Sequence, residues 1–132
     1  MSDLSYRVMV ALFKLGDAVY PTVDRRVARF GIEPGMTVVD YGCGPGRYTF
    51  ALAKAVGEAG KVYAVDIEPL AVEDVRRRAE RQGTRTVEAR LATGYTTNLP
   101  DHIADMVLAI DMFFLVKDPE PFLRELKRLC KA

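Results

Sequence analysis

Three glycines alternate with other residues in the segment 38–47, which reads VVDYGCGPGR. An acid, Asp40, stands two residues before the first glycine, and a second acid, Asp66, follows twenty residues after the last. Glycine adopts positive φ easily and lets a ligand approach the backbone with no Cβ in the way. The free N–H groups of a following helix attract a carboxylate or another electronegative group. The spacing therefore predicts a ligand-binding loop made by Gly42, Cys43, Gly44 and Gly46, with Cys43 as a small residue that fits a tight turn.

Asp66 closes a second short apolar segment, 61–66, and Ile67 follows it. A carboxylate at the end of a strand accepts hydrogen bonds from both hydroxyls of a ribose, and Ile67 offers an apolar surface to a flat base. The plainer interpretation is that Asp66 only caps the helix beginning at Glu68. The glycine loop and Asp66, each at the junction of a strand and a helix, together favour a nucleotide-type ligand site.

A dinucleotide site is the alternative reading of such a loop. It requires G-x-G-x-x-G, because a small third residue lets the helix pack closely on the strand. Counted from Gly42 the third position is Arg47, and counted from Gly44 it is Thr49. Neither residue fits, so a nicotinamide-dependent oxidoreductase is disfavoured.

The elements that position the loop alternate between strands and helices along the chain. Strands are predicted over 37–40, 61–66, 86–91 and 105–111, and helices over 4–15, 22–30, 47–56, 68–82 and from Asp118 onward. Gly16 and Gly83 are expected to end two of the helices. This alternation and the apolar strands predict an α/β fold, a parallel sheet with helices on both faces, preceded by N-terminal helices.

Length, charge and cysteine content narrow the function classes. At 132 residues we expect a single domain, with 1–31 as a helical N-terminal lid segment and 32–132 as the nucleotide-binding half. A net charge of +1 gives no attraction to nucleic acid or to an anionic membrane, so neither is an expected partner. Two cysteines and one histidine predict no disulfide framework and no metal site. The chain shows no signal peptide or membrane span, so a cytoplasmic location is expected.

The sequence resembles the class I S-adenosylmethionine-dependent methyltransferases, most closely the small-molecule branch that contains the quinone-biosynthesis enzymes. The resemblance rests on residues 38–46, on Asp66, and on the Leu99-Pro-Asp segment with the run that begins at Asp105. The resemblance covers roughly residues 31–130. It implies a Rossmann-like sheet of order 3-2-1-4, S-adenosylmethionine as cofactor and a small-molecule methyl acceptor.

The resemblance also assigns parts of the cofactor to residues. Asp40, Gly42 and Gly44 would surround the methionine portion, and Asp66 would hold the ribose. Asp111, at the end of the fourth strand, would lie beside the methionine amino group and the acceptor. The alternative for Asp111 is a strand-end acid that caps the next turn.

The chain departs from the family pattern in two places. Thr93 stands where many relatives have an acid for the adenine amino group, and its hydroxyl accepts only a weaker hydrogen bond. The family's sheet continues with three more strands after the last helix, whereas this sequence stops at Ala132. We therefore expect only the first four strands, and an exposed apolar edge at the fourth strand that a second copy or a partner chain covers.

Several alternatives stay open at the level of sequence. Activity is either methyl transfer or non-catalytic binding of S-adenosylmethionine or S-adenosylhomocysteine by a module that works through an oligomer or a partner chain. Met112, Phe113 and Phe114 either line an apolar acceptor pocket or belong to the core, and no catalytic residue is nominated. The arginines at 25, 26 and 29 are interpreted as a solvated helix face, His102 as an exposed residue, and Tyr6, Met9, Phe13 and Tyr20 as part of a lid.

Overall fold

The computed structural model describes residues 1–19 and 21–132. Tyr20, which the sequence analysis assigned to the lid, lies outside the described residues. Over the described ranges the elements follow in this order: α1 Asp3–Val19, α2 Val23–Ala28, β1 Thr37–Tyr41, α3 Thr49–Val56, β2 Lys61–Asp66, α4 Pro69–Gln82, β3 Val87–Leu91, β4 Met106–Leu108, a 3-10 turn Phe113–Leu115, and α5 Pro119–Leu129.

The four strands form one parallel sheet in the order β3-β2-β1-β4, as predicted. Val38 on β1 lies opposite Val62 on β2 and Met106 on β4. Because the strands are parallel, their carboxyl ends meet at one edge of the sheet. The loops that leave Tyr41, Asp66 and Leu91 therefore emerge side by side, which places the glycine loop next to Asp66.

Helices cover both faces of the sheet. Successive residues of β1 point to opposite faces, so neighbouring side chains pack against different helices. Val38 packs with Leu52 and Val56 of α3 on one face. Val39 packs on the other face with Phe122 and Leu129 of α5, both fully buried. This two-sided burial explains why the strands read as nearly continuous apolar runs.

Strand β4 is shorter than the predicted 105–111. Its last pair joins Leu108 to Asp40. Beyond that point the backbone of β1 turns toward β2, because the amides of Gly42 and Cys43 both donate to the carbonyl of Val65, at 2.7 and 3.0 Å. Residues 109–111 are thus left without a pairing partner on β1 and leave the sheet.

The helix ends agree only in part with the prediction. Gly83 ends α4 in the left-handed conformation, as expected. Gly16 does not end α1, which continues to Val19. A glycine inside a helix costs about 1 kcal/mol relative to alanine, and the last turn of α1 is held by an ion pair between Asp17 and Arg47. Among the described helices, none combines the length and apolar character of a membrane span.

Candidate functional site

The glycine loop is built from left-handed backbone conformations that favour glycine. The φ angles of Gly42, Gly44 and Gly46 are +79°, +54° and +90°. A Cβ added at Gly42 would lie 2.7 Å from Cγ of Met112, and one at Gly46 would lie 2.8 Å from the ring of Phe50. A Cβ at Gly44 would meet no atom within 4 Å. Gly42 and Gly46 are therefore glycines because of protein packing, whereas Gly44 faces open space that a ligand can enter.

Asp66 is joined to this loop. Its Oδ2 accepts a hydrogen bond from the Gly44 amide at 2.8 Å, and its Oδ1 accepts one from the Glu68 amide at 2.9 Å. Burial raises the pKa of Asp66, and the amides of Glu68 and Gly44 oppose that rise. The N-cap of α4 is Glu68, whose own side chain accepts from the Leu70 amide at 3.4 Å. Asp66 therefore holds the residue that precedes the helix and does not itself cap it. A carboxylate has about four acceptor positions, so capacity for hydroxyl donors remains. Ile67 beside it is 64% exposed.

Asp40 lies beneath the loop and is buried. Its Oδ2 accepts a 2.7 Å hydrogen bond from the hydroxyl of Thr49, the first residue of α3. Burial raises the pKa of Asp40 to about 6, while the Thr49 hydroxyl lowers it. The carboxylate therefore ties the end of β1 to the start of α3. Its predicted contact with a methionine portion stays a prediction.

Cys43 packs inward from the loop against Ala64, Val72 and Val75. It is buried, and burial raises the pKa of its thiol well above the usual range. A neutral buried thiol is a poor nucleophile. This placement agrees with the expected role of a small residue in a tight turn.

A cluster of two arginines and two aspartates, the arginine cluster, lies beside the loop. It consists of Arg26, Arg47, Asp17 and Asp111. The Arg47 guanidinium is bound to both oxygens of Asp17 at 2.7 to 3.0 Å and lies 3.3 Å from Asp111. Arg26 donates to the Tyr48 hydroxyl at 2.7 Å and lies 3.5 Å from the same Asp111 oxygen. The hydrogen bond to Asp17 is the main cause that raises the pKa of Arg47.

The helix face that carries Arg26 is exposed, as predicted, and its guanidinium also reaches Tyr48 and Asp111. The prediction for Asp111 needs correction. Asp111 lies three residues beyond β4, with a φ of +55°, and its half-exposed carboxylate contacts arginines instead of capping a turn. Arg47 joins the candidate site through Asp17 and Asp111 and was not among the predicted residues, although its place directly after Gly46 was a usable signal.

Thr93 follows β3 in a tight turn, where its backbone exchanges two 3.0 Å hydrogen bonds with Thr96. The amide of Ala92 donates to the carbonyl of Asp66 at 2.8 Å, which holds this turn next to Asp66. The Thr93 side chain is exposed. Its hydroxyl is thus placed on the same edge of the sheet as Ile67.

The segment after Asp111 is divided between core contact and open surface. Met112 is half-buried against the hydrophobic core and approaches Gly42. Phe113 and Phe114 are 51% and 80% exposed. The apolar side chains therefore line an open surface next to Asp111.

Helix α1 lies against the same edge through Tyr6 and Phe13, in addition to the ion pair of Asp17 with Arg47. The buried Tyr6 donates a 2.7 Å hydrogen bond to Asp74 of α4, and Phe13 lies 5.2 Å under the Arg47 guanidinium. Burial and Asp74 raise the pKa of the Tyr6 hydroxyl. His102 is exposed near the amino end of β4, with Nδ1 2.8 Å from the Cys130 carbonyl, and so lies at the opposite edge of the sheet.

These residues fit a nucleoside attached to an amino acid. Gly44 leaves space at the backbone, Asp66 keeps acceptor capacity for a ribose, Ile67 is exposed for a base, and the arginine cluster offers both charges to an ammonium and a carboxylate. Within residues 1–19 and 21–132, no group of three or more His, Cys, Asp or Glu side chains is placed to hold a metal ion.

Comparison with known proteins agrees with this geometry. A family model described as "Methyltransferase domain" matches residues 32–132. The chain is 32% identical over 119 residues to the aklanonic acid methyltransferase DauC of Streptomyces sp. (strain C5), covering 82% of this chain and 54% of the relative. It is 42% identical over 78 residues to the ribosomal protein L11 methyltransferase of Burkholderia mallei (strain NCTC 10229), covering 59% of this chain and 24% of that protein.

Two solved structures share the fold. A SAM-dependent methyltransferase from Aquifex aeolicus superposes with a TM-score of 0.79 and 36% identity, covering 83% of this chain and 58% of that one. A coclaurine N-methyltransferase bound to N-methylheliamine and SAH superposes with a TM-score of 0.75 and 27% identity. The match covers 85% of this chain and 32% of that one. The chain thus spans about half the length of DauC and less of the L11 enzyme. The family match, the sheet order and the glycine loop joined to Asp66 together show that this chain belongs to the class I S-adenosylmethionine-dependent methyltransferases.

Proposed function

We propose that this domain transfers a methyl group from S-adenosylmethionine to a small-molecule acceptor. The observation that carries the proposal is the open position at Gly44 next to the carboxylate of Asp66. In the proposed arrangement Asp66 accepts hydrogen bonds from the ribose hydroxyls, Ile67 contacts the adenine, and the Thr93 hydroxyl meets the adenine edge. The loop residues Asp40, Gly42, Cys43, Gly44 and Gly46 shape the floor.

The methionine end of the cofactor is assigned to the arginine cluster. An amino acid end carries one positive and one negative charge, and the cluster presents Asp111 within 3.5 Å of two guanidiniums. Asp111 would receive the ammonium, and Arg26, which has one hydroxyl partner besides Asp111, would receive the carboxylate. Arg47 stays fixed by its two-oxygen contact with Asp17.

The bound cofactor supplies an electrophilic methyl group on a sulfonium. The protein's own task is to orient the acceptor and to exclude water, and such positioning contributes up to about 7–11 kcal/mol in favourable cases. Helix α1, held by Tyr6 and Asp17, is proposed as the lid over this edge. No side chain is assigned as a nucleophile, since the Cys43 thiol is buried and neutral.

A small-molecule acceptor is supported by two features. DauC is named for aklanonic acid, and its match covers 82% of this chain. The exposed Phe113 and Phe114 next to Asp111 suit an apolar acceptor. The L11 relative is named for a protein substrate but matches a shorter part of this chain.

Two free cysteines support a reducing, cytoplasmic setting.

A second candidate function is a non-catalytic module that binds the cofactor or its demethylated product. It is favoured by the open acceptor side, where Phe114 is 80% exposed. In that case a second copy or a partner chain completes the acceptor side, including the edge of β4.

The test is product formation. Purified chain with S-adenosylmethionine is incubated with a panel of small aromatic acids, phenols and amines, and with ribosomal protein L11, and release of S-adenosylhomocysteine is measured. The proposal expects turnover with one small-molecule class and its loss in Asp66→Ala. Methylation of L11 alone would contradict the acceptor class. Cofactor binding without any turnover would favour the non-catalytic module.

A further inference from the structure

Helix α1 is apolar on two opposite faces. Its inner face carries Tyr6 and Phe13, which contact the domain. Its outer face carries large apolar side chains that are between 51% and 74% exposed, the outer row: Leu4, Val8, Leu12, Leu15 and Val19. A contiguous row of large exposed apolar side chains on a folded domain marks an interaction surface. The outer row is therefore a surface that requires a cover.

The cover must come from outside the domain. Tyr6 is buried and bonded to Asp74, and Asp17 is bonded to Arg47. These two contacts lie 11 residues apart on α1, about three turns, and fix its rotation. The helix cannot turn its outer row inward without breaking both.

The spacing of the outer row suits a second copy of the same helix. Positions 4, 8, 12, 15 and 19, together with the exposed Ala11, are symmetric about the midpoint between Ala11 and Leu12. Two antiparallel α1 helices then place Leu4 opposite Val19 of the other copy. By the same symmetry Val8 meets Leu15, and Ala11 meets Leu12. A two-fold interface requires this kind of self-complementarity, and the small Ala11 at its centre lets the helices approach closely.

A membrane surface is a poorer occupant. Helices that lie on membranes carry an excess of basic residues on their polar face. The charged residues of α1 are two acids, Asp3 and Asp17, and two bases, Arg7 and Lys14. The helix therefore has no net attraction for anionic lipid.

We propose that the outer row of α1 is the interface between two copies of this chain, packed antiparallel about a two-fold axis near Ala11 and Leu12. The interface is independent of cofactor binding, and it differs from the β4 edge. Because the same helix contacts Arg47, dimerisation would also hold α1 against the glycine loop.

Sedimentation equilibrium tests the interface with Leu12→Glu and the control Leu123→Glu. Leu123 is 50% exposed on α5, so a charge there tests general effects of removing surface apolarity. We expect dimers for the unaltered chain and for Leu123→Glu, and monomers for Leu12→Glu with unchanged helix content. A monomeric unaltered chain at all concentrations, or a dimeric Leu12→Glu variant, would overturn the proposal.

Crosslinking gives a second readout that does not depend on destabilising the interface. In a Cys130→Ser background, Leu12→Cys lies next to the two-fold axis, and Ser5→Cys lies on the same helix far from it. Mild oxidation is expected to give disulfide-linked dimers of Leu12→Cys and none of Ser5→Cys. Equal crosslinking of the two variants, or sedimentation of the unaltered chain with phosphatidylglycerol vesicles, would contradict the assignment.

Discussion

The amide of Gly44 donates a 2.8 Å hydrogen bond to Oδ2 of Asp66, so the glycine loop and the acid at the end of β2 form one unit. The same carboxylate also accepts from the Glu68 amide. A change at Asp66 therefore acts on the ligand in two ways, through the lost acceptor and through the shape of the loop.

Asp66→Ala is expected to weaken binding of S-adenosylhomocysteine by roughly 1–3 kcal/mol, which is about 5- to 150-fold, because the ribose hydroxyls lose a charged acceptor. Calorimetric titration measures this. Glu80→Ala, an exposed acid on α4, is the control and should leave the affinity unchanged. Asp66→Asn keeps one acceptor oxygen, so its affinity should lie between that of Asp66→Ala and that of the unaltered chain. Equal affinities for Asp66→Ala and the unaltered chain would remove the ribose assignment.

Gly44→Ala and Gly83→Ala separate backbone strain from ligand exclusion. Both glycines are left-handed, with φ of +54° and +65°, and neither has an atom within 4 Å of an added Cβ. Each substitution should therefore destabilise the fold by about 1–2 kcal/mol, measured by urea unfolding. Only Gly44→Ala places a methyl group in the proposed cofactor space, so only it should weaken S-adenosylhomocysteine binding. Comparable weakening by Gly83→Ala would show that strain alone explains the effect.

The buried carboxyl of Asp40 is expected to make the protein less stable as the pH rises. Its pKa is raised to about 6 in the folded chain from 3.8, so folding favours the neutral acid. Stability from this group is present below about pH 4 and is lost as the pH rises to about 6. Asp40→Asn mimics the neutral acid. It should be more stable than the unaltered chain at pH 7 by on the order of 2–3 kcal/mol, and equally stable near pH 4. A difference that does not change between pH 4 and 7 would contradict the burial argument.

The carboxylate of Glu125 is expected to act in the opposite direction and to make the protein less stable as the pH falls. Its carboxylate accepts hydrogen bonds from Arg128 and from the amide and hydroxyl of Thr97, and Arg128 is the main cause that lowers its pKa to about 2 from 4.5. Its stabilisation is present above about pH 4.5 and is lost as the pH falls to about 2. Glu125→Gln should cost on the order of 2 kcal/mol at pH 7 and almost nothing near pH 2.

Urea unfolding across that pH range measures the Glu125 effect. Glu120→Gln is the control, because Glu120 is exposed and pairs with Arg124 four residues away on the same helix. Exposed pairs of this kind contribute only a few tenths of a kcal/mol. A cost for Glu125→Gln that is as small as the control would contradict the role of the Thr97 and Arg128 network.

The sheet and the loop were predictable because their signals are local. Alternating strands and helices and a glycine run between β1 and α3 are read from neighbouring residues, and they predicted the parallel sheet. The strand order, which the structure confirms, was implied by the family resemblance. The position of Asp66 next to Gly44 followed from parallel strands ending at one edge.

The arginine cluster was not predictable in the same way. Arg26 reaches Asp111 across 85 residues of sequence, and that contact depends on how α2 packs against α3. The length of β4 depended on where the backbone of Gly42 turns, which the strand's own residues do not encode. The sequence predicted a helix over 4–15, but it could not show that the large apolar residues of this helix face solvent while Tyr6 is buried.

Binding of the sulfur nucleotides to the purified, unaltered chain tests the central claim most directly. Calorimetric titration with S-adenosylmethionine, S-adenosylhomocysteine and NAD should show one site per chain for each of the first two and none for NAD. Absence of binding by both sulfur nucleotides, or binding of NAD at the same site, would contradict the account.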